Sequence, residues 1–152
     1  MRPVLLTSAL TAAAALVGSL GTKPDSPWYR AVDKPAWEPP GIAFPLVWTP
    51  LYGTIAWATG RAIEAAPEAD RGRLWALTGA DLAVNAGWCW AFFDRESPRG
   101  GLATIAVLNA VNVALVREVG RHDATAARAL LPYAGWTAFA TALNASIWRR
   151  NR

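Results

Sequence analysis

Five stretches of the chain exclude ionic side chains, and that exclusion constrains the fold more than any single motif. Residues 3–22, 39–60, 100–116 and 129–148 contain no Asp, Glu, Lys or Arg, and residues 74–93 contain only Asp81. The sequence has 15 Lys and Arg and 11 Asp and Glu, so nearly all of its charge lies between the windows. A helix rises about 1.5 Å per residue, and about 20 residues cross a hydrocarbon core of roughly 30 Å. A water-soluble helix would carry charge on its outer face every turn or two. The pattern predicts an all-α membrane protein, a five-transmembrane-helix bundle forming one domain over residues 1–152. Its spans fall at about 4–22, 44–62, 73–94, 101–119 and 126–149. Mean hydropathy is only +0.18 because Ala, Gly and Trp score low on that scale although they pack well in such helices.

The remaining composition excludes several function classes. The single cysteine, Cys89, permits no internal disulfide and no cysteine metal cluster, and the single histidine, His122, sits in a polar turn. No metal site is expected. The net charge of +4 comes from Arg at span ends, where long side chains reach headgroups, and no basic cluster sits on a soluble domain. Membrane lipid is therefore an expected partner and nucleic acid is not. Residues 1–22 also have the pattern of a signal peptide, a basic residue followed by an apolar run. Cleavage would leave four spans and remove a packing surface, so a span is the preferred reading. The two sides of the bundle carry seven and eight Lys and Arg, which leaves orientation nearly undetermined. The Arg149, Arg150, Arg152 tail favours a cytoplasmic C-terminus.

Residues 23–43 form the longest connection. Pro24, Pro27, Pro35, Pro39 and Pro40 alternate with Trp28, Tyr29 and Trp37. Proline restricts the backbone to extended and turn shapes, and the aromatics are too many for an idle linker. A folded cap over one end of the bundle is expected, with interfacial anchoring as the alternative. The short turns elsewhere make sequential spans antiparallel neighbours.

Asp81 is the most informative residue within a span, because a carboxylate in lipid is costly and should face the bundle interior. Asp81, Asn85, Trp88 and Phe92 share one helical face. Gly79, Ala83 and Gly87 lie at four-residue spacing on the opposite side, where small residues let a helix of another span or a second protomer approach closely. Trp48 and Tyr52 are one turn apart, as are Asn109 and Asn112, and Trp136, Ala140 and Leu143 share a face beside Asn144. A bundle lined by such residues is a candidate cavity for a flat, mostly apolar ligand with polar edges.

Several of these residues also carry a resemblance. The run Trp28-Tyr29 … Lys34-Pro35-Ala36-Trp37-Glu38-Pro39-Pro40-Gly41 is followed by Phe44, Trp48, Leu51 and Tyr52. Asn85, Trp88, Phe92 and Phe93 come later, then Leu131-Pro132-Tyr133, Trp136, Phe139-Ala140 and Leu143-Asn144. Over residues 28–151 the chain resembles the tryptophan-rich sensory protein (TspO/MBR) family, whose animal members are the translocator protein or peripheral benzodiazepine receptor. The resemblance implies five helices around a pocket that opens near the first loop. It implies binding of tetrapyrroles such as protoporphyrin IX, or a haem-related relative, as ligand with no obligatory cofactor. In some members it implies sterols and synthetic isoquinoline or benzodiazepine ligands. By matching positions, Tyr29, Pro40, Trp48, Tyr52, Asp81, Asn85, Trp88, Trp136, Ala140 and Leu143 should line the pocket. Gly79, Ala83 and Gly87 are expected at a homodimer contact. Trp48 and Trp136 match tryptophans implicated in light-dependent porphyrin breakdown, and would be catalytic only if that reaction occurs.

Two departures matter. Asp81 stands where some relatives have an amide. Ala145 stands where the animal cholesterol-recognition segment has Tyr, so sterol binding is in doubt. Three functions remain open: a porphyrin-binding sensory or regulatory protein, a light-dependent porphyrin-degrading enzyme, and a transporter of porphyrin or sterol. No triad, metal cluster or nucleotide loop is visible, and no inverted repeat favours transport. If propionates enter the site, nearby Arg or backbone donors are expected to meet them. High Ala and Arg usage fits a multi-pass protein of a bacterial cell membrane.

Overall fold

The computed structural model describes residues 2–152. It comprises α1 (Arg2–Gly21), α2 (Pro27–Ala31), α3 (Ala43–Ala65), α4 (Glu68–Cys89), a π-helical turn (Trp90–Asp94), α5 (Pro98–His122), α6 (Ala124–Ala129) and α7 (Leu131–Arg150). Among the described residues there is no strand. The five long helices have 20, 23, 22, 25 and 20 residues.

Local chemistry explains where these helices start. Ser26 caps α2 by accepting a bond from the Tyr29 N–H at 3.1 Å, with Pro27 just inside. Ser97 and Pro98 repeat the device on α5, where the Gly100 N–H donates to Ser97 Oγ at 2.9 Å. Asp123 caps α6 through the Ala126 N–H at 2.9 Å. α4 begins at Glu68, before the charge-free window, because Glu68 and Asp70 sit favourably at the positive end of the helix dipole.

Two features differ from the sequence expectation. The last segment is not one helix over 126–149 but is divided into α6 and α7 around Leu130. Pro132 causes the break: it has no N–H to donate and its ring clashes with the carbonyl four residues back. The other difference is that α4 does not run on to residue 94. Its end widens into the π-helical turn, closed by the Arg95 N–H donating to the Trp90 carbonyl at 2.9 Å.

α1 packs against both α3 and α4, α4 against α5, and α5 against α7. α3 and α4 touch only sparsely although a two-residue turn joins them, so this pair departs from the neighbour pattern expected. Small residues let α1 make both contacts. A Cβ on Gly60 would lie 2.5 Å from the Val4 Cα, so only glycine allows this approach. Thr7 then reaches across to donate to the Ala56 carbonyl at 2.7 Å.

The core is mainly apolar, yet many large apolar side chains also face outward and several polar ones are buried. Leu5, Leu6, Leu10, Leu16, Val17 and Leu20 of α1 are exposed, as are Leu46, Val107 and Val113. Thr7, Thr59, Thr78, Asp81, Asn85, Asn112, Thr137 and Asn144 are buried. At the α3–α4 end, buried Glu118 meets Arg73 at 3.3 Å and Arg121 at 3.1 Å, and Arg61 pairs with Asp123 at 3.1 Å.

Candidate functional site

The opposite end of the bundle holds a cavity of about 880 Å³. Pocket volumes for small molecules run from roughly 300 to 1,000 Å³. α1 supplies Ala15, Gly18 and Ser19, and the loop supplies Thr22, Pro24, Tyr29, Glu38, Pro39, Pro40 and Gly41. α3 contributes Phe44, Pro45, Trp48, Thr49 and Tyr52; α4 and the π-helical turn contribute Asn85, Trp88, Cys89, Phe92 and Phe93. α5 adds Ile105 and Leu108, and α7 adds Trp136, Thr137, Ala140, Leu143, Asn144 and Ile147. Pro24, Pro40, Gly41, Pro45 and Thr49 are exposed, which puts the opening at the loop and the first turns of α3.

The loop is ordered by packing. Trp28 meets Phe92 edge-on at 5.6 Å, Tyr29 packs on Phe93 at 5.1 Å, and Val32 is buried between the loop and the bundle. The Asn151 side chain donates to the Asp33 carbonyl at 2.9 Å and accepts from the Asp33 N–H at 3.0 Å, tying the end of α7 to the loop. The π-helical turn places Phe92 and Phe93, adjacent in sequence, both in the buried cluster under the loop.

Two indole walls face the chamber. Trp48 stacks on Tyr52 at 5.2 Å and 28°, and meets Tyr133 edge-on at 6.1 Å. Trp136 lies against Phe139 at 5.3 Å and Phe44 at 6.1 Å. The third tryptophan, Trp88, stacks on Phe92 at 5.1 Å and donates through Nε1 to Asn144 Oδ1 at 2.9 Å. Asn144 in turn donates to the Pro98 carbonyl at 2.7 Å, so α4, α5 and α7 are clamped at one point.

Of the ten residues expected to line the pocket, Tyr29, Pro40, Trp48, Tyr52, Asn85, Trp88, Trp136, Ala140 and Leu143 do so. Asp81 does not. It is 0% exposed and lies behind Tyr133, whose hydroxyl donates to Asp81 Oδ2 at 3.0 Å. Asn85 Nδ2 donates to the Tyr133 hydroxyl at 2.9 Å, and the Tyr52 hydroxyl donates to Asn85 Oδ1 at 3.3 Å. A polar file thus runs from the chamber at Tyr52 to the interior at Asp81. Asn109 and Asn112 also serve packing, donating to Thr141 at 2.6 Å and Thr137 at 3.1 Å on α7.

The sequence marks Tyr133 only as part of the Leu131-Pro132-Tyr133 run and assigns it no role in the site. Its signal was faint: it is the only tyrosine of α7 and follows the Pro132 break. Tyr133→Phe would leave the Asn85 amide and the Asp81 carboxylate each short of a partner. The expected loss is about 1–3 kcal/mol of stability for each group left unpaired. A thermal melt of the detergent-solubilised variant that matches the parent would show that the file is dispensable.

Gly79, Ala83 and Gly87 lie away from the chamber. A Cβ on Gly79 or Gly87 would meet nothing within 4 Å, so no helix of this chain covers that face. Among the described residues, no group of three or more His, Cys, Asp and Glu is placed to hold a metal ion.

An all-helical bundle with large apolar side chains exposed on its long helices, buried Thr, Asn and Asp groups within a mainly apolar core, and an indole-walled chamber defines the architectural class. The sequence profile of the TspO/MBR family matches residues 6–149. The tryptophan-rich protein TspO of Chlorobaculum tepidum is 32% identical, over 99% of this chain and 99% of its own. The tryptophan-rich sensory protein of Cereibacter sphaeroides is 34% identical, over 91% of this chain and 85% of its own. The translocator protein of Homo sapiens is 30% identical, over 82% of this chain and 75% of its own. The chain belongs to the TspO/MBR family and is a membrane protein.

Proposed function

We propose that this chain crosses a membrane five times, through α1, α3, α4, α5 and the α6–α7 pair, and binds porphyrins or related flat hydrophobic ligands in its chamber. Its role on this reading is sensory or regulatory, in the handling of tetrapyrroles. The observation that carries the reading is the chamber itself: about 880 Å³, with Trp48 and Trp136 among the walls and an opening at the loop. Flat macrocycles gain from ring-to-ring contact, and polar atoms at Asn85, Thr137 and Asn144 fix orientation. The apolar exterior of α1 and the apolar length of α5 suit lipid. A multi-pass place in a bacterial cell membrane, and a homodimer through the open Gly79, Ala83 and Gly87 face, complete the proposal.

Protoporphyrin IX titrated into the purified protein is expected to quench tryptophan fluorescence saturably, at one ligand per chain. Quenching that rises linearly without saturation would refute a defined site.

A second reading is favoured by the contact of Trp48 with Tyr52 and Tyr133, which gives a photoexcited ligand oxidisable rings close by. On that reading the porphyrin absorption band fades under illumination with the parent protein and persists when Trp48 and Trp136 are replaced.

A further inference from the structure

We infer that Glu38 selects the charge class of the ligand, so that the chamber takes neutral or cationic flat molecules and disfavours those that carry anionic groups inside. The inference rests on the ligand-binding reading above and narrows it.

Among the described residues that line the chamber, Glu38 is the only Asp, Glu, Lys, Arg or His. No arginine is among those residues, so of the Arg or backbone donors expected for a propionate the wall itself offers only backbone. Glu38 is half-buried on the loop wall, and its hydrogen-bond partner is neutral: the Tyr29 hydroxyl donates to Glu38 Oε1 at 2.5 Å. Burial, and then the bond to Glu38 and its charge, hold the Tyr29 phenol well above its ordinary value, so it stays a neutral proton donor to the carboxylate.

None of the loop cations Lys23, Arg30 and Lys34 is among the residues that line the chamber. Lys34 donates to the Tyr29 and Val32 carbonyls and sits over the Tyr29 ring at 4.3 Å. Lys23 pairs with Asp94, and Arg30 lies 3.8 Å from Asp25. The chamber therefore has one carboxylate on an otherwise uncharged wall. At half-buried Glu38 charge repulsion is screened less than on an open surface, and a like charge discriminates between ligands of the same shape. A porphyrin that keeps its carboxylates ionised must hold them outside the opening, whereas the neutral ester or an amine derivative can settle deeper.

The test compares three ligands of one shape by fluorescence quenching in nanodiscs: protoporphyrin IX, its dimethyl ester, and its bis-aminoethyl amide. The parent protein is expected to bind the ester and the amine at least about tenfold more tightly than the diacid. Glu38→Gln keeps an acceptor for Tyr29 and should bring the diacid within about twofold of the ester, with far-UV circular dichroism and the elution profile as the control for an intact fold. Glu38→Lys should reverse the order in favour of the diacid. A parent protein that binds the diacid as tightly as the ester, or a ratio unchanged in both variants, overturns the inference while leaving the binding site standing. Absence of saturable quenching by all three ligands is a different result, and overturns the site and the inference together.

Discussion

Trp48→Ala combined with Trp136→Ala is expected to lower affinity for a flat tetrapyrrole by more than about 100-fold. Truncating a well-packed tryptophan contact typically costs about 2 kcal/mol of binding, and 1.4 kcal/mol is about tenfold. The two indoles stand on different helices, α3 and α7, and each is braced by its own ring partners, Tyr52 and Tyr133 for one and Phe44 and Phe139 for the other. Neither can substitute for the other. The titration should follow the absorption of the bound porphyrin, because the variant loses two of the fluorophores. Far-UV circular dichroism and the elution profile serve as folding controls. Undiminished affinity in the folded double variant would show that the ligand site lies elsewhere.

The second large effect concerns stability. Gly60→Leu places a side chain where the Val4 backbone and the Thr7 hydroxyl already stand, at 2.5 and 2.8 Å from a modest Cβ. Backbone cannot move aside as a flexible side chain would, so the cost is at the upper end of the overpacking range, about 3 kcal/mol. α1 also supplies Ala15, Gly18 and Ser19 to the chamber, so its displacement should weaken ligand binding as well. The expected result is a lower melting temperature, partly restored by saturating ligand if α1 still docks. A melt equal to that of the parent would mean that α1 does not sit against α3 as described.

The long helices α1, α3, α4 and α5 were legible because exclusion of ionic groups is a one-dimensional signal that survives without knowledge of neighbours. The division of the last segment was harder to see. Pro132 was visible, but proline at the first turn of a helix and proline that ends one look alike until the flanking residues are placed. Asp81 shows the same limit in the site. Its spacing from Asn85 correctly puts both on one helical face, yet Asn85 reaches the chamber and Asp81 does not. Tyr133, 52 positions further along, separates them. Glu38 had been read only as part of an aromatic and proline-rich run. Its isolation as a charge depends on where Lys23, Arg30 and Lys34 find their partners, which spacing does not encode.

The widened turn at Trp90–Asp94 carries one more consequence. An extra residue in a helical turn rotates everything after it by about 100°. The direction in which Phe92 and Phe93 face, and the point at which Ser97 begins α5, therefore depend on how many residues the turn holds as well as on which ones. Substitution of buried Phe92 or Phe93 should cost packing at that one ring, whereas deletion of any residue of the turn should turn both rings and the start of α5 out of register together.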